Sequence, residues 1–108
     1  MHSVSNNTKW NELRDAMLAI EGGDRPRWRS TTLAGFQSLY FDGEWYYHFK
    51  CDGRYEDMRY VDVLSPNADR DALVLAAIRK IKLVATRQAP LVWRIFGYVD
   101  NPVDARIP

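Results

Sequence analysis

The amino-acid sequence predicts an α+β fold: a two-layer sandwich in which two helices pack on one face of a mainly antiparallel sheet of four to five strands. Two stretches of the chain carry apolar residues at helical spacing, and the segment between them changes to a period of two. Two Asp-Gly pairs in that segment favour tight turns, and strands joined by tight turns run antiparallel. The predicted order of elements is α-β-β-β-β-α-β.

The first predicted helix follows the polar start of the chain. Asn7 or Thr8 can cap its N-terminus, and Gly22-Gly23 can end it, because glycine readily adopts the left-handed conformation that follows a helix. The apolar residues that recur at helical spacing between these two signals are Trp10, Leu13, Met17 and Ile20.

The second predicted helix begins at Ser65-Pro66-Asn67, which combines a capping side chain with a proline in the first turn. Acidic residues near its start and basic residues near its end match the helix dipole. Its buried stripe is predicted to be Val74, Ala77, Ile78 and Ile81. The strands are predicted at residues 28–32, 36–41, 44–51, 58–64 and 91–99.

Asp42-Gly43 predicts a two-residue turn that joins residues 36–41 and 44–51 in a hairpin and sets their register. Because side chains alternate along a strand, the core face is predicted to carry Phe36, Tyr40, Trp45, Tyr47, Phe49 and Cys51. The other, wetter face is predicted to carry Gln37, Leu39, Phe41, Glu44, Tyr46, His48 and Lys50.

The register of the next strand, at residues 58–64, can be continued from that of the hairpin. Continued from the hairpin, it places Asp62 on the core face, which is an unfavourable position for a charge. A bulge after Tyr60 would change this, so the pairing beyond Tyr60 stays open.

His48 offers one candidate catalytic pair. If Asp52-Gly53 is a second two-residue turn, His48 lies opposite Asp57, and a carboxylate can orient a histidine that acts as a general base. The register places no serine, threonine or cysteine nucleophile beside this pair, since Cys51 points to the opposite face and is predicted to be buried. A surface ion pair is therefore favoured, and a small enzyme that uses His48 and Asp57 is an alternative.

Composition excludes several other classes of site. The 108 residues carry 15 basic and 14 acidic side chains, and a net charge of +1 provides no general attraction for nucleic acid or an anionic membrane. No metal site or cofactor is predicted, because a metal needs three or four ligands and the histidines are only His2 and His48. The polar start lacks the apolar stretch of a signal peptide, so a cytoplasmic location without membrane contact is expected.

The chain is expected to form one domain. Residues 8–99 form the predicted α+β domain, preceded by a flexible N-terminus at residues 1–7 and followed by an irregular tail at residues 100–108. A domain of this length can bury a core without disulfide or metal support.

A local basic cluster spans Arg25 to Arg29 and contains one tryptophan. Arginines beside an aromatic ring could hold a phosphate backbone and stack a base, but they are equally the composition of protein-binding hot spots. The predicted partner-binding face combines residues of this cluster with residues of the hairpin and the following strand: Arg27, Arg29, Tyr46, His48 and Arg59, with Arg94 as a further candidate.

Four segments, TKWNELRDAM, PRWRS, FDGEWYYHFK and WRIFGYV, together resemble an uncharacterised bacterial family of unknown function and of about this length. The resemblance covers residues 8–99, and DGEWYYHF is its most specific part. The sequence departs from the family pattern at Arg54, where a second glycine is expected, and in the loop after the second helix. The resemblance implies a bacterial origin and a compact domain, and it implies no activity or catalytic residue.

The first hypothesis is a non-enzymatic protein-binding module, such as an immunity protein that neutralises a cognate toxin; that class is suggested by size and analogy only. The second is a nucleic-acid-binding domain that uses Arg25 to Arg29, and the third is the small enzyme. Steep loss of affinity with salt would indicate the second. Loss of turnover in His48→Ala would indicate the third.

Overall fold

The chain forms an α+β fold in the computed structural model, with two helices packed on one face of a four-stranded antiparallel sheet, as the sequence predicts. The structure describes residues 1–21, 23–49 and 55–108, so the predicted turn at Asp52-Gly53 and the predicted burial of Cys51 lie outside the described residues. The elements are β1 (His2–Ser3), α1 (Asn7–Leu18), β2 (Arg27–Thr32), β3 (Met58–Leu64), α2 (Ala68–Ile81), β4 (Ala85–Ala89), β5 (Val92–Phe96) and β6 (Tyr98–Val99). Within the described ranges, no helix is both long and apolar enough to cross a membrane.

Side-chain caps define the start of both helices. The side chain of Asn6, one residue before the predicted cap, accepts a hydrogen bond from the backbone N–H of Lys9 at 2.9 Å. Asn67 caps α2 in the same way by accepting from the N–H of Arg70 at 2.9 Å. The residues that the two helices bury in the shared core include Trp10, Leu13, Met17, Val74 and Ile78, all of them predicted core positions.

The main sheet has the strand order β2-β3-β5-β4, so β2 and β4 form its edges. One face carries Val61, Val63 and Ile95 and packs with the helices in the core. The opposite face points away from this core and is called the outer face below. The register aligns four residues across the outer face, in the order Arg29, Asp62, Arg94 and Thr86.

The predicted hairpin at Asp42-Gly43 is wrong. Residues 36–42 run instead along the free edge of β2, where Asp42 and Trp28 exchange two backbone hydrogen bonds of 2.7 and 2.9 Å and Gln37 pairs with Thr31. Residues 44–49 are not a strand, and the backbone bends and turns over residues 46–49. The cause is the Glu44 carboxylate, which accepts the backbone N–H groups of the three residues that follow Trp45 and so holds a compact turn in place of an extended strand.

The loss of the hairpin changes which side chains are buried. Trp45 and Phe49 lie in the core as predicted, four residues apart on the turn. Phe36, Tyr40 and Tyr47, which were predicted to share that face, are exposed. An alternating strand pattern cannot describe a segment whose backbone turns.

The described part of the chain after α2 contains two strands more than predicted. β4 forms an edge strand in a segment that the sequence predicts as loop, and the single strand predicted at residues 91–99 is divided into β5 and β6 at Gly97. A Cβ atom at Gly97 would lie 2.2 Å from the backbone oxygen of Met58, so only glycine fits this close approach of two strands.

Both chain ends contact the domain. β1 pairs with β6, and the buried Ser5 donates its hydroxyl hydrogen to the Phe96 carbonyl at 2.8 Å. In the tail, the carbonyl of Arg106 accepts the backbone N–H of Ala85 at 3.1 Å. The flexibility of residues 1–7 stays a prediction; within this segment, His2 and Ser3 are paired with β6.

Candidate functional site

A buried carboxylate lies at the centre of the outer face. Asp62 is only 2% exposed, and its two oxygens accept hydrogen bonds from Nε and Nη2 of Arg94 at 2.8 and 3.2 Å. Arg29 approaches from the other side, with its Nη2 atom 3.8 Å from the same carboxylate. The core-face position predicted for Asp62 is therefore wrong, because it was continued from a hairpin that does not form.

Both arginines are also held against aromatic rings. The Cζ atom of Arg29 lies 4.5 Å from the ring centroid of Phe41, and that of Arg94 lies 4.0 Å from the ring centroid of Tyr60. Each guanidinium is thus fixed by a ring on its face and by Asp62 at its edge. The hydrogen bonds to Asp62 raise the pKa of Arg94 above its ordinary value against an opposing effect of burial, so this arginine stays charged.

Arg29 keeps most of its hydrogen-bonding capacity. Its side chain is 30% exposed, and in the described part of the chain no group accepts a hydrogen bond from its guanidinium, although its Nε atom is buried. Arg27, two residues earlier on β2, lies on the same face and is exposed. The outer face consequently presents arginine donors that the fold itself does not use.

The apolar loop, defined as residues 33–41, borders the outer face along the β2 edge. Phe41 of this loop is the ring under Arg29, and the exposed large side chains of the loop are Leu33, Phe36, Leu39 and Tyr40. Leu39, at 96% exposure, is the most prominent. An exposed apolar group of this size beside polar residues is typical of an interaction surface.

The exposure of Leu39 and Tyr40 follows from the pairing of the loop with β2. The backbone N–H of Ser38 donates to Ser30 at 3.0 Å, and Asp42 pairs with Trp28. Three loop residues, 39–41, therefore lie between the two paired positions, whereas only Arg29 lies between them on β2. The two extra residues are extruded from the ladder, as in a β-bulge.

A charged cluster fixes the far end of this loop. The Nδ1 atom of His48 lies 2.7 Å from Oδ2 of Asp42, whose other oxygen accepts the backbone N–H of Glu44 at 2.8 Å. The hydrogen bond with Asp42 raises the pKa of His48. The pKa of Glu44 is lowered, first of all by the backbone N–H of His48 that donates to its carboxylate. The cluster joins the loop to the turn that buries Trp45.

The structure divides the five predicted partner-binding residues among different surfaces. Arg27 and Arg29 lie on the outer face. Tyr46 lies by α1, where the Arg14 Cζ atom is 4.5 Å from its ring, and Arg59 pairs with Asp100 at the other end of the sheet. His48 contacts Asp42 rather than lying across a hairpin from Asp57, which belongs to a 3-10 turn. Their roles in binding stay predictions.

Sequence reasoning missed the groups that organise the outer face, namely Asp62, Tyr60 and Phe41, and named Arg94 only as a further candidate. A usable signal was the acidic residue inside the apolar strand YVDVL, since a buried carboxylate requires a cationic partner. Arg94 is the cation inside the other apolar strand, VWRIF. Among the residues with described positions, no group of three His, Cys, Asp or Glu side chains could hold a metal ion.

The site belongs to an α+β domain whose outer sheet face carries fixed arginines beside an exposed apolar loop. The model of a family of unknown function, DUF6678, matches residues 1–102, and the chain belongs to this family. The expected membership of an uncharacterised family is thereby confirmed. No curated protein and no solved structure matches the chain.

Proposed function

We propose that the protein is a non-enzymatic protein-binding module whose interface combines the outer face near β2 with the apolar loop. The observation that carries the proposal is the position of Arg29. Its guanidinium is held by Phe41 and Asp62, and its donors make no hydrogen bond to a described residue. Phe41 directly follows the exposed Leu39 and Tyr40 in the apolar loop.

The physical argument rests on how binding energy is distributed in interfaces. Arginine, tyrosine and other aromatic side chains supply most of the hot spots, in patches with an apolar centre and a polar rim. A side chain that is already fixed in the free protein loses less conformational entropy when it binds. Arg29 and Arg94 meet this condition, because Asp62 and the two rings hold them before a partner arrives.

A finer form of the proposal is an immunity protein that neutralises a toxin in the bacterial cytoplasm. Small size and the analogy with other small bacterial binding modules suggest it. Inhibition of a toxin encoded beside this chain, measured with both purified proteins, tests that form separately from the general one.

The general proposal is tested by finding the partner and measuring its affinity for matched variants. The tagged chain is used to capture proteins from its native cells, each candidate is identified by mass spectrometry, and the dissociation constant is measured with purified components. We expect Leu39→Ser with Tyr40→Ser to weaken binding by about fivefold or more, which corresponds to ~1 kcal/mol. Leu73→Ser on α2 is the control, because Leu73 is also exposed but lies in the helix layer.

Neither change should lower the melting temperature much, because substitutions of exposed side chains have small effects on stability. A purified partner that binds the double variant as tightly as the wild type would place the interface elsewhere and refute the proposal. Parallel titrations of Arg29→Ala, Tyr46→Ala, His48→Ala and Arg59→Ala decide which of the residues predicted from the sequence take part.

A further inference from the structure

The outer face carries an excess of positive charge that the fold leaves uncompensated. In the strand rows that the structure describes on this face, Arg27, Arg29 and Arg94 lie with one carboxylate, that of Asp62. Asp62 is already occupied, because both of its oxygens accept hydrogen bonds from Arg94. Local charge therefore favours an anionic group on a partner, although the whole chain is nearly neutral.

Two of these arginines present donors from neighbouring positions. The Nη2 atoms of Arg94 and Arg29 lie 3.2 and 3.8 Å from the same oxygen of Asp62, so the two guanidinium groups are close together. Arg94 donates through Nε and Nη2, and no hydrogen bond to a described residue engages its Nη1 atom. Both side chains are partly exposed, at 30% for Arg29 and 28% for Arg94.

A carboxylate suits this arrangement because a guanidinium can bind it through two parallel hydrogen bonds. The rings of Phe41 and Tyr60 keep the guanidinium planes in place, so the geometry exists before binding. The adjoining apolar loop offers leucine and tyrosine rather than further cations, which favours an acidic polypeptide with apolar residues over a phosphate backbone.

From this geometry we infer that the partner contacts the outer face through an acidic segment, with a carboxylate bound by Arg29 and Arg94 and apolar side chains against Leu39 and Tyr40. The inference rests on the proposed function and specifies the chemistry of the partner. It makes Arg29 the residue that sets specificity for the acid.

The test uses fluorescein-labelled peptides and the full chain. One short peptide alternates glutamate with leucine and tyrosine, a second has glutamine in place of each glutamate, and a single-stranded oligothymidylate represents nucleic acid. We expect fluorescence anisotropy to show tighter binding of the glutamate peptide, and Arg29→Gln to weaken it by about fivefold or more. Arg79→Gln on α2 is the control, since it removes the same charge from the helix layer.

Arg29→Gln should remain folded because Arg94 still provides both hydrogen bonds to Asp62, and a melting curve checks this. Arg29→Lys keeps the charge but loses the planar fork, so it should restore only part of the affinity. Absence of a preference for the glutamate peptide, or equal binding by Arg29→Gln, would overturn the inference. Tighter binding of the oligothymidylate would also overturn it and indicate a nucleic-acid partner.

Failure of the inference of an acidic segment can be separated from failure of the proposed function. A captured partner that is lost with Leu39→Ser and Tyr40→Ser, yet is indifferent to Arg29→Gln, would retain the binding module and exclude the acidic contact. A partner indifferent to both variants would refute both statements.

Discussion

Replacement of Arg94 by methionine should destabilise the protein because it removes both hydrogen bonds from a carboxylate that is almost completely buried. Among the residues whose positions are described, Asp62 would retain Arg29, at 3.8 Å, as its nearby cation. Removal of one member of a buried ion pair typically lowers the free energy of unfolding by about 3–5 kcal/mol. Arg94 is partly exposed and Arg29 remains near the carboxylate, and both facts reduce the loss. We therefore expect the free energy of unfolding to fall by about 2–3 kcal/mol.

The control variants separate the loss of an ion pair from the loss of packing. Arg59→Met breaks an exposed pair with Asp100 and should lower the free energy of unfolding by less than about 1 kcal/mol. Arg94→Met combined with Asp62→Leu removes the buried carboxylate as well, and should recover part of the stability lost in the single variant, because only the partly exposed Arg29 then lacks its counter-charge.

Urea unfolding followed by tryptophan fluorescence measures these differences, since a domain of this size has a total stability of only about 5–15 kcal/mol. If Arg94→Met is no more destabilising than Arg59→Met, Asp62 is not the buried, arginine-dependent charge that the structure shows. If the double variant is as unstable as Arg94→Met alone, the effect comes from packing and the electrostatic explanation is refuted.

Three further substitutions test other parts of the structure. His48→Gln should change the pH dependence of the melting temperature. Because the pKa of His48 is raised in the folded chain, protonated His48 stabilises the fold fully below its unfolded pKa of about 6.5. This stabilisation disappears as the pH rises through the folded pKa. The wild type should show that decline, and an identical profile for the variant would contradict it. Gly97→Ala should destabilise by about 1–3 kcal/mol or more in urea unfolding, because its Cβ would meet a backbone oxygen. Gly43→Ala should be tolerated, since the described atoms near its Cβ belong to a flexible arginine side chain. Similar losses of stability in the two variants would exclude the close approach at Gly97. Trp45→Ala should lower stability by about 3–5 kcal/mol and Tyr47→Ala by less than about 0.5 kcal/mol, and equal denaturation midpoints would contradict their opposite burial.

The helices could be predicted from the sequence because their signals are local. Trp10, Leu13 and Met17 repeat at the helical period, and a capping side chain precedes them within a few residues. The α+β class followed from the same periodicities. These patterns depend on neighbours along the chain, which the sequence displays directly.

The failure of the predicted hairpin to form could not be foreseen from the sequence, because a side chain competes with the backbone ladder. Asp42-Gly43 is a strong turn signal, but Glu44 binds the N–H groups of the following residues and Asp42 pairs with Trp28 on β2. Only the three-dimensional arrangement shows which set of hydrogen bonds is satisfied.

The outer face was predicted only in part for a related reason. Arg27 and Arg29 stand out as a basic cluster, whereas Asp62 and Arg94 are distant along the chain and meet through the pairing of β3 with β5. The sequence shows each charge in an apolar strand but not the register that brings the two together.

The extruded pair in the apolar loop, Leu39 and Tyr40, lies at positions that can affect binding without supporting the sheet. Among the described residues, neither Leu39 nor Tyr40 exchanges a backbone hydrogen bond with β2, while Ser38 and Asp42 on either side hold the edge. Mutations at the two protruding positions can therefore accumulate without disturbing the sheet. Descendants of one ancestral chain could diverge in partner choice there while the scaffold beneath stays the same.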